Sequence, residues 1–225
     1  MKNNVYRLRF SRKGTLRFLS HLEQIELIKK CLKRSGLPLK YSEGFHPHMK
    51  VSFGPAISVS YESDCEFADV HLSVAESLGK IAQGISAVTP AGFSLVEVKG
   101  IPHFSPPVDA AANLCDYEVT GIDGLHGVGS EDDICDRIAG FLSKKEIFVI
   151  KRKTGKELNI RPLVLKLESI PGGFALSVRF SPGGNVKPER VVSVLLGLDE
   201  QETVLLRVRR LALYTEKPDG TLSGF

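Results

Sequence analysis

The chain has 225 residues, with 30 Lys and Arg, 26 Asp and Glu and a formal net charge of +4. Its length allows one large domain or two small ones, and a hydrophobic content of 42% is ordinary for a globular protein. No apolar run reaches the roughly 20 residues of a membrane span, and the first residues lack a signal-peptide core, so we expect a cytoplasmic protein without a membrane partner.

The charge is unevenly distributed along the chain. Residues 1–50 carry 12 Lys and Arg against 3 acidic residues, residues 51–149 carry 5 against 15, and residues 150–225 carry 13 against 8. Such segregation can create a field that attracts a polyanion to one side of a molecule. The alternative is a solvated surface on which the charges mix in three dimensions.

The cysteines predict reduced thiols. Cys31, Cys65, Cys115 and Cys135 stand apart, without a C-x-x-C motif, which argues against disulfides, a zinc knuckle and an iron–sulfur cluster. Phosphate-binding glycine loops and the common hydrolase motifs are also absent from the sequence. We therefore predict no cofactor and no metal site.

The first hundred residues predict a β-α-β-β-α-β order. Residues 5–11 alternate, with Tyr6, Leu8 and Phe10 on one face and arginines on the other, as in a half-buried strand with a basic outer face. Ser20 and Glu23 form a capping box for a helix over 20–35. The remaining predicted elements are strands at 50–60, 65–73 and 93–99 and a helix at 75–88. The strands at 50–60 and 65–73 are joined by a turn near Glu62-Ser63-Asp64.

The second half predicts a similar order with more strands. A strand at 115–122 precedes a helix at 131–143, with Ser130 as N-cap and Asp133 at N3. The later elements are strands at 146–153, 157–169, 173–180 and 203–214 and a helix at 188–198. The predicted class is α+β, with two tandem ferredoxin-like (βαββαβ) units, the second with an extra hairpin. Their predicted limits are 1–100 and 115–215, with a linker at 101–114 and a tail at 216–225.

The stretch 36–55 lies between a predicted helix and a predicted strand but is typical of neither. Glycines there permit unusual backbone angles and prolines fix φ; they are Gly36, Gly44, Gly54, Pro38, Pro47 and Pro55. Aromatic and histidine side chains lie between them, unlike in a flexible linker. Because loops held by a scaffold often carry function, we predict that this loop is the functional site.

Basic and aromatic residues predict an RNA-binding surface. Cationic groups neutralise phosphates, and aromatic rings stack on unpaired bases. The predicted RNA-binding residues are Arg7, Arg9, Arg17, His21, Lys29, Lys33, Tyr41, Phe45, His46, His48, Lys50, Lys151, Arg152, Lys153 and Arg161. A sheet face of a ferredoxin-like unit is a familiar RNA platform. Alternatively, Tyr41 and Phe45 fill the core beneath the loop.

The histidines allow two further hypotheses. His21 stands at the first position of a helix, where the dipole attracts anions, and is the candidate general acid or base toward an RNA 2′-hydroxyl, with another histidine or Lys50 stabilising charge. Alternatively, His21, His46 and His48 bind zinc. The third reading is that they contact a ligand or anchor the loop.

Three blocks of sequence resemble a known family. They are Tyr6-Arg7-Leu8-Arg9-Phe10-Ser11, Arg17-Phe18-Leu19-Ser20-His21-Leu22 and the run from Gly36 to His48. They are similar to the bacterial radical-SAM-linked family of unknown function, over about residues 4–215. The resemblance implies an association with a radical SAM protein, although this chain has no C-x-x-x-C-x-x-C motif of its own. The family usually has Asn in place of His46 and often Pro in place of Met49, which weakens a metal or catalytic role for His46.

Three functions follow as hypotheses. The first is a non-catalytic protein that binds RNA or presents a substrate, linked to radical SAM chemistry. The second is an RNA-cleaving or RNA-modifying enzyme that uses His21. The third is a docking module for a radical SAM enzyme.

Overall fold

The chain divides into two compact units. Unit 1 comprises Met1–Ala112 with Phe225, and unit 2 comprises Asn113–Gly224. The structure, a computed structural model, describes residues 4–125, 128–150, 155–180 and 184–225. Both units combine helices with antiparallel strands, which confirms the predicted α+β class. In the described ranges, no helix has the length and apolar character needed to cross a membrane.

Unit 1 is built on an antiparallel sheet. Its elements are β1 (Val5–Arg12), α1 (His21–Arg34), β2 (Val51–Phe53), β3 (Glu62–His71), α2 (Leu78–Ser86), β4 (Phe93–Gly100) and α3 (Val108–Ala111). Strand β1 pairs with β4 on one side and with β3 on the other, and β2 pairs with β3. The strand order within this unit is therefore β4-β1-β3-β2.

The predicted capping box of α1 is confirmed. The Glu23 backbone N–H donates to Ser20 Oγ at 3.3 Å, and the Ser20 N–H donates to Glu23 Oε2 at 2.7 Å. Gly36, with φ of +70°, follows the C-cap residue, a position where glycine is favoured. In the first turns of α1, Leu22 is 74% exposed, whereas Gln24 is buried.

The core of unit 1 lies between the sheet and its two longer helices. Tyr6, Leu8 and Phe10 are buried as predicted, together with side chains of α1, β3 and α2. Gly84 permits a close approach of α2 to α1, because a Cβ at this position would lie 2.7 Å from the Ser35 carbonyl oxygen. The Gly84 position in α2 is thus explained by packing.

The opposite face of β1 is not the exposed basic face predicted from its alternation. Arg7 is only 9% exposed, because the segment that contains α3 packs on this face. Arg7 Nη2 donates to the Pro106 carbonyl at 3.1 Å, and Val108 is buried. The sheet face is therefore covered at Arg7, whereas the Arg9 side chain on the same face of β1 stays 35% exposed.

A buried polar network centres on Arg12. The fully buried guanidinium donates to the carbonyl oxygens of four residues: Arg17, Leu19, Ser58 and Tyr61. It also donates to Gln24 Oε1 at 2.9 Å, and Gln24 Nε2 in turn donates to the buried carboxylate of Glu66. One cation thus joins β1, the turn before α1, α1 itself and the turn before β3.

Unit 2 contains antiparallel sheet strands and a separate two-stranded hairpin. Its elements are β5 (Leu114–Thr120), α4 (Glu131–Ser143), β6 (Phe148–Ile150), β7 (Glu157–Asn159), β8 (Val164–Ile170), β9 (Gly173–Arg179), α5 (Pro188–Leu196), α6 (Glu200–Leu205), β10 (Arg207–Glu216) and β11 (Leu222–Gly224). The strand order within the unit is β10-β5-β9-β8, with β11 paired to β10 and with β6 paired to β7 apart from this sheet.

Several predicted boundaries are wrong for local reasons. The strand at 50–60 shrinks to β2, close to Pro55, and Glu62-Ser63-Asp64 belong to β3 rather than to a turn. A 3₁₀ turn at Arg161–Leu163, which contains Pro162, divides the strand at 157–169. The strand at 203–214 begins as α6 because Asp199 and Glu202 form a capping box. The linker at 101–114 contains α3, and the tail contains β11. The helix at 131–143 and its capping box are confirmed.

We expect Arg12→Met to destabilise the protein by about 3–5 kcal/mol, because it removes the cation that Gln24 links to the buried Glu66 carboxylate and leaves five acceptor groups without the guanidinium donor. Urea denaturation measures the loss. Glu66→Gln in the Arg12→Met background should recover part of the lost stability, because it removes the buried carboxylate charge as well.

The matched control is Arg34→Met, an exposed arginine on α1, for which we expect a change within about 0.5 kcal/mol. A loss below about 1 kcal/mol for Arg12→Met would contradict the anchoring role assigned to Arg12.

Candidate nucleic-acid interface

The loop between α1 and β2 is an ordered hairpin at residues 39–50. The Lys50 N–H donates to the Lys40 carbonyl at 2.8 Å, and the Ser42 N–H donates to the His48 carbonyl at 2.8 Å. Tyr41 pairs with Met49 between these two bonds. The hairpin therefore has a short stem and a five-residue tip at 43–47, where Gly44 adopts a φ of +119°.

The fold holds this hairpin at its base. The Lys40 N–H donates to the His71 carbonyl at 2.9 Å, and the His71 N–H donates to the Lys50 carbonyl at 3.0 Å. Leu37 is buried, and Leu39 packs against the core. The loop is therefore attached to the end of β3 through the backbone of His71.

The tip presents an aromatic ring to solvent. Phe45 is fully exposed, and Tyr41 is 42% exposed. The alternative that Phe45 fills the core is therefore wrong. His46 and His48 are exposed as well, so the tip offers an aromatic ring and two imidazoles to a ligand.

A basic cluster lies beneath the tip. The pKa of His71 is lowered, first by burial and then by the positive charges of Lys40 and Lys50, while Asp69 opposes this effect. Two lysines and a histidine thus share one electrostatic environment at the base of the hairpin. The sequence prediction included Lys50 but missed Lys40 and His71. A hairpin that pairs residues on either side of the glycine-rich loop would bring Lys40 opposite Lys50, so the sequence could have identified Lys40. No local sequence pattern indicates that His71 lies at the base of the hairpin.

The predicted lysines of α1 lie toward the end that leads into the hairpin. Lys29 Nζ contacts Glu26 Oε1 at 2.8 Å, so part of its charge is offset. Lys33 is exposed. Both belong to the second half of α1, which ends two residues before Gly36.

Three predicted arginines are engaged within the fold. Arg7 binds Asp69 through two bonds of 2.7 Å, and Arg9 contacts Glu97 at 3.4 Å. Arg161 donates to the Leu142 carbonyl at 2.9 and 3.1 Å, and also to the Val164 carbonyl at 2.8 Å. These contacts give the three guanidinium groups structural roles.

The structure does not bring His21 together with the loop histidines. His21 begins α1 near the Arg12 network, whereas the hairpin follows the other end of α1, which is about 20 Å away for a helix of 14 residues. A centre that combines His21 with His46, His48 or Lys50 is therefore wrong. Among the residues that the structure describes, no group of three metal-ligating side chains is present.

The remaining predicted RNA-binding residues are Arg17 and the run from Lys151 to Lys153. Arg17 lies at the His21 end, with its guanidinium 4.9 Å from the centre of the Phe18 ring. Lys151, Arg152 and Lys153 lie outside the described residues.

Two solved structures resemble this chain at low sequence identity. A Cbf5-Nop10-Gar1 complex matches with a TM-score of 0.49 and 12% identity, over 92% of this chain and 48% of that chain. The archaeal box H/ACA sRNP Nop10-Cbf5 complex matches with a TM-score of 0.44 and 13% identity, over 91% and 46%. This chain thus spans about half the length of the chains it matches, and at TM-scores below 0.5 neither bears on its function.

The sequence itself places the chain in a family. No curated protein matches it. One family profile, described as "Uncharacterized protein conserved in bacteria (DUF2344)", matches residues 5–204. This confirms the predicted bacterial family of uncharacterised function, while the association with radical SAM chemistry stays a prediction. Because the match covers most of its length, the chain belongs to the DUF2344 family of bacterial proteins.

Proposed function

We propose that this protein binds single-stranded RNA through the hairpin at 39–50 and acts as a non-catalytic accessory protein that holds or presents the RNA. The observation that carries the proposal is the fully exposed Phe45 ring at the tip of an anchored hairpin. Exposed apolar side chains are common on protein surfaces. Phe45 stands at the tip of a hairpin that is bonded to the fold and has Lys40 and Lys50 at its base.

The chemistry of the hairpin fits a single strand. Phe45 offers a flat ring on which an unpaired base stacks, an interaction worth roughly 1–3 kcal/mol per base. Lys40 and Lys50, both exposed, are available to the neighbouring phosphates. An exposed lysine with a mobile ammonium group suits a sequence-independent phosphate contact.

The fold we propose for both halves is ferredoxin-like, over residues 1–100 and 115–215. The strand orders β4-β1-β3-β2 and β10-β5-β9-β8 support it, since the two units arrange equivalent strands in the same antiparallel order. Because Arg7 on the sheet face of unit 1 is buried, we propose the hairpin rather than the sheet as the RNA site.

We expect Phe45→Ala to weaken binding of a labelled oligouridylate by roughly 5- to 150-fold, the equivalent of one lost stacking contact. Fluorescence anisotropy at several salt concentrations measures it. The slope of affinity against salt should stay unchanged, because the phenyl ring neutralises no phosphate.

Phe104→Ala is the matched control, because Phe104 is an exposed phenylalanine of the same unit. It should bind RNA like the parent protein. Equal affinities for the Phe45→Ala variant and the parent would refute the stacking role, and a parent that binds no RNA at low salt would refute the function.

We expect RNA affinity to rise as the pH falls from about 8 to 6, near the ordinary histidine pKa of about 6.5. Burial, and then the positive charges of Lys40 and Lys50, hold the His71 pKa below its usual value, and a bound phosphate would offset the lysine charges and favour the imidazolium. His71→Gln should flatten this dependence. Its effect on the hairpin should be small, because His71 anchors the hairpin through backbone groups.

Stability gives an independent check of the same group. A lowered pKa in the folded state means that the unfolded chain takes up the proton first. The His71 contribution to stability is therefore intact above pH about 6.5 and decreases as the pH falls through the folded-state pKa. The unfolding free energy of His71→Gln should lack this pH dependence. The exposed control His103→Gln should keep it. Identical profiles of unfolding free energy against pH for His71→Gln and the parent would contradict the assignment of this dependence to His71.

A second candidate function is docking to a radical SAM protein, which the family resemblance implies. The observation that favours it is a group of exposed apolar side chains at the other end of α1: Phe18, Leu22 and Val59. Arg12 connects their segments, since its guanidinium binds the carbonyl oxygens of both Arg17 and Ser58. Two of the three belong to the Arg17–Leu22 block on which the resemblance rests.

For this candidate, we expect Phe18→Ser/Leu22→Ser to lose a partner that the parent protein captures from nuclease-treated bacterial extract. The partner must be a protein with a C-x-x-x-C-x-x-C motif, identified by mass spectrometry. Phe45→Ala should retain that partner, because the ring lies at the opposite end of α1. Capture of the partner by both variants alike, or of no such protein, would reject this surface.

A further inference from the structure

Unit 2 contains a cavity at one end of its sheet strands. Its volume is about 620 Å³, which falls within the range of about 300–1,000 Å³ that is usual for small-molecule sites. Three segments of the unit line it: the end of β5 with the turn that follows, the turn between β8 and β9, and the passage from α6 into β10. The cavity therefore lies within a single unit.

Strand pairing brings two of the lining side chains to the same side of the sheet. Thr120, the last residue of β5, is the direct partner of Arg207, the first residue of β10. Directly opposed residues of an antiparallel pair project from the same face of a sheet. The Thr120 hydroxyl and the Arg207 guanidinium thus stand beside each other in the lining.

Two glycines hold the turns around the cavity close together. The Gly121 N–H donates to the Gly172 carbonyl at 3.1 Å, which joins the turn after β5 to the turn before β9. A Cβ on Gly172 would lie 3.0 Å from Asp123 Oδ2, and a Cβ on Gly121 would lie 3.2 Å from the Leu205 carbonyl oxygen. Glycine at these positions leaves room for the Asp123 carboxylate beside the turn.

The cavity has one acidic and one basic side chain, Asp123 and Arg207. Among the residues that the structure describes, neither side chain has an ion-pair or hydrogen-bond partner, and the two do not pair with each other. By contrast, Arg209, two residues further along β10, contacts Glu118 at 3.6 Å. The lining thus offers two opposite charges that the fold itself does not use.

The remaining side chains of the lining are apolar: Leu125, Pro171 and Leu205. A ligand that fits this lining needs a negative group, a positive group and an apolar body. A carboxylate matches the planar fork of a guanidinium, and an ammonium group matches a carboxylate. A phosphate alone would satisfy Arg207 but would bring a second negative charge close to Asp123.

We propose that this cavity binds a small zwitterion with an apolar side chain, of the class of a free apolar α-amino acid. Arg207 binds the carboxylate, Asp123 binds the ammonium group, and the apolar lining contacts the side chain. The site is separate from the hairpin at 39–50 and does not depend on RNA binding. Failure of either proposal therefore leaves the other in place.

The experiment uses L-leucine as the probe and two analogues that each lack one charge. Leucinamide has no carboxylate, and N-acetyl-L-leucine has no ammonium group. Each compound is titrated into the ¹⁵N-labelled full chain, and the amide shifts are followed by NMR. We expect L-leucine to cause saturable shifts at Gly121, Gly124 and Gly172, which line the cavity. Each analogue should bind about fivefold or more weakly, because it loses one charge-assisted contact.

Substitutions then assign each charge to its partner. Arg207→Gln should weaken L-leucine binding by about fivefold or more but have little effect on leucinamide, which has no carboxylate for Arg207 to bind. Asp123→Asn should likewise weaken L-leucine binding and have little effect on N-acetyl-L-leucine. The matched controls are Lys217→Gln and Asp132→Asn, at exposed residues of unit 2 outside the cavity; both should bind L-leucine like the parent.

Three results would overturn this inference. They are the absence of a saturable shift with L-leucine up to about 10 mM, equal affinities for L-leucine and either analogue, and parental affinity of Arg207→Gln or Asp123→Asn for L-leucine. Uridine monophosphate is the competing probe. Tighter binding of this nucleotide than of L-leucine, with shifts at the same glycines, would assign the cavity to nucleotides and reject the zwitterion.

Discussion

The burial of the Arg12 guanidinium is the constraint on which unit 1 depends. A charged group without contact with water must have a partner for each of its donors, since its desolvation costs several kcal/mol. Here the partners are carbonyl oxygens from the turn before α1 and from the turn before β3, together with Gln24. Folding of these irregular segments is thereby coupled to the burial of one cation.

The Arg12 network and the hairpin lie at opposite ends of the β1–β3 strand pair. The Arg12 network lies where β1 ends and β3 begins, and the Val5–His71 pair lies at the far end of the same two strands. The hairpin joins the sheet there, through the backbone of His71. Its position therefore depends on a register that the Arg12 network stabilises.

The sequence predicts local features well and partnerships between distant residues poorly. Both capping boxes could be read from residues three apart, Ser20 with Glu23 and Ser130 with Asp133, because the bonds form within one turn. The ion pair of Arg7 with Asp69 spans 62 positions, and no pattern along β1 indicates it. Alternation alone therefore predicted an exposed arginine where the structure has a buried one.

The same limit applies to the candidate site. The glycines and prolines of 36–55 predicted a turned loop, but they do not decide whether its aromatic residues face solvent, and phenylalanine is often buried. Only the hydrogen bonds across the stem decide that Phe45 lies at a tip rather than beneath it. His71 could not be assigned to the site at all, because it lies 21 positions after Lys50 and reaches the hairpin through strand pairing.

Arginines and lysines have different roles in this fold, and the difference shows which basic residues a polyanion can contact. Arg7, Arg12 and Arg161 each use the planar fork of the guanidinium to bind a carboxylate or several carbonyl oxygens inside the fold. Lys33, Lys40 and Lys50 stay exposed, as expected for a compact, strongly hydrated ammonium group. A total of basic residues therefore overestimates the surface that a polyanion meets. The exposed lysines locate that surface better, and two of them, Lys40 and Lys50, lie at the base of the hairpin that carries Phe45.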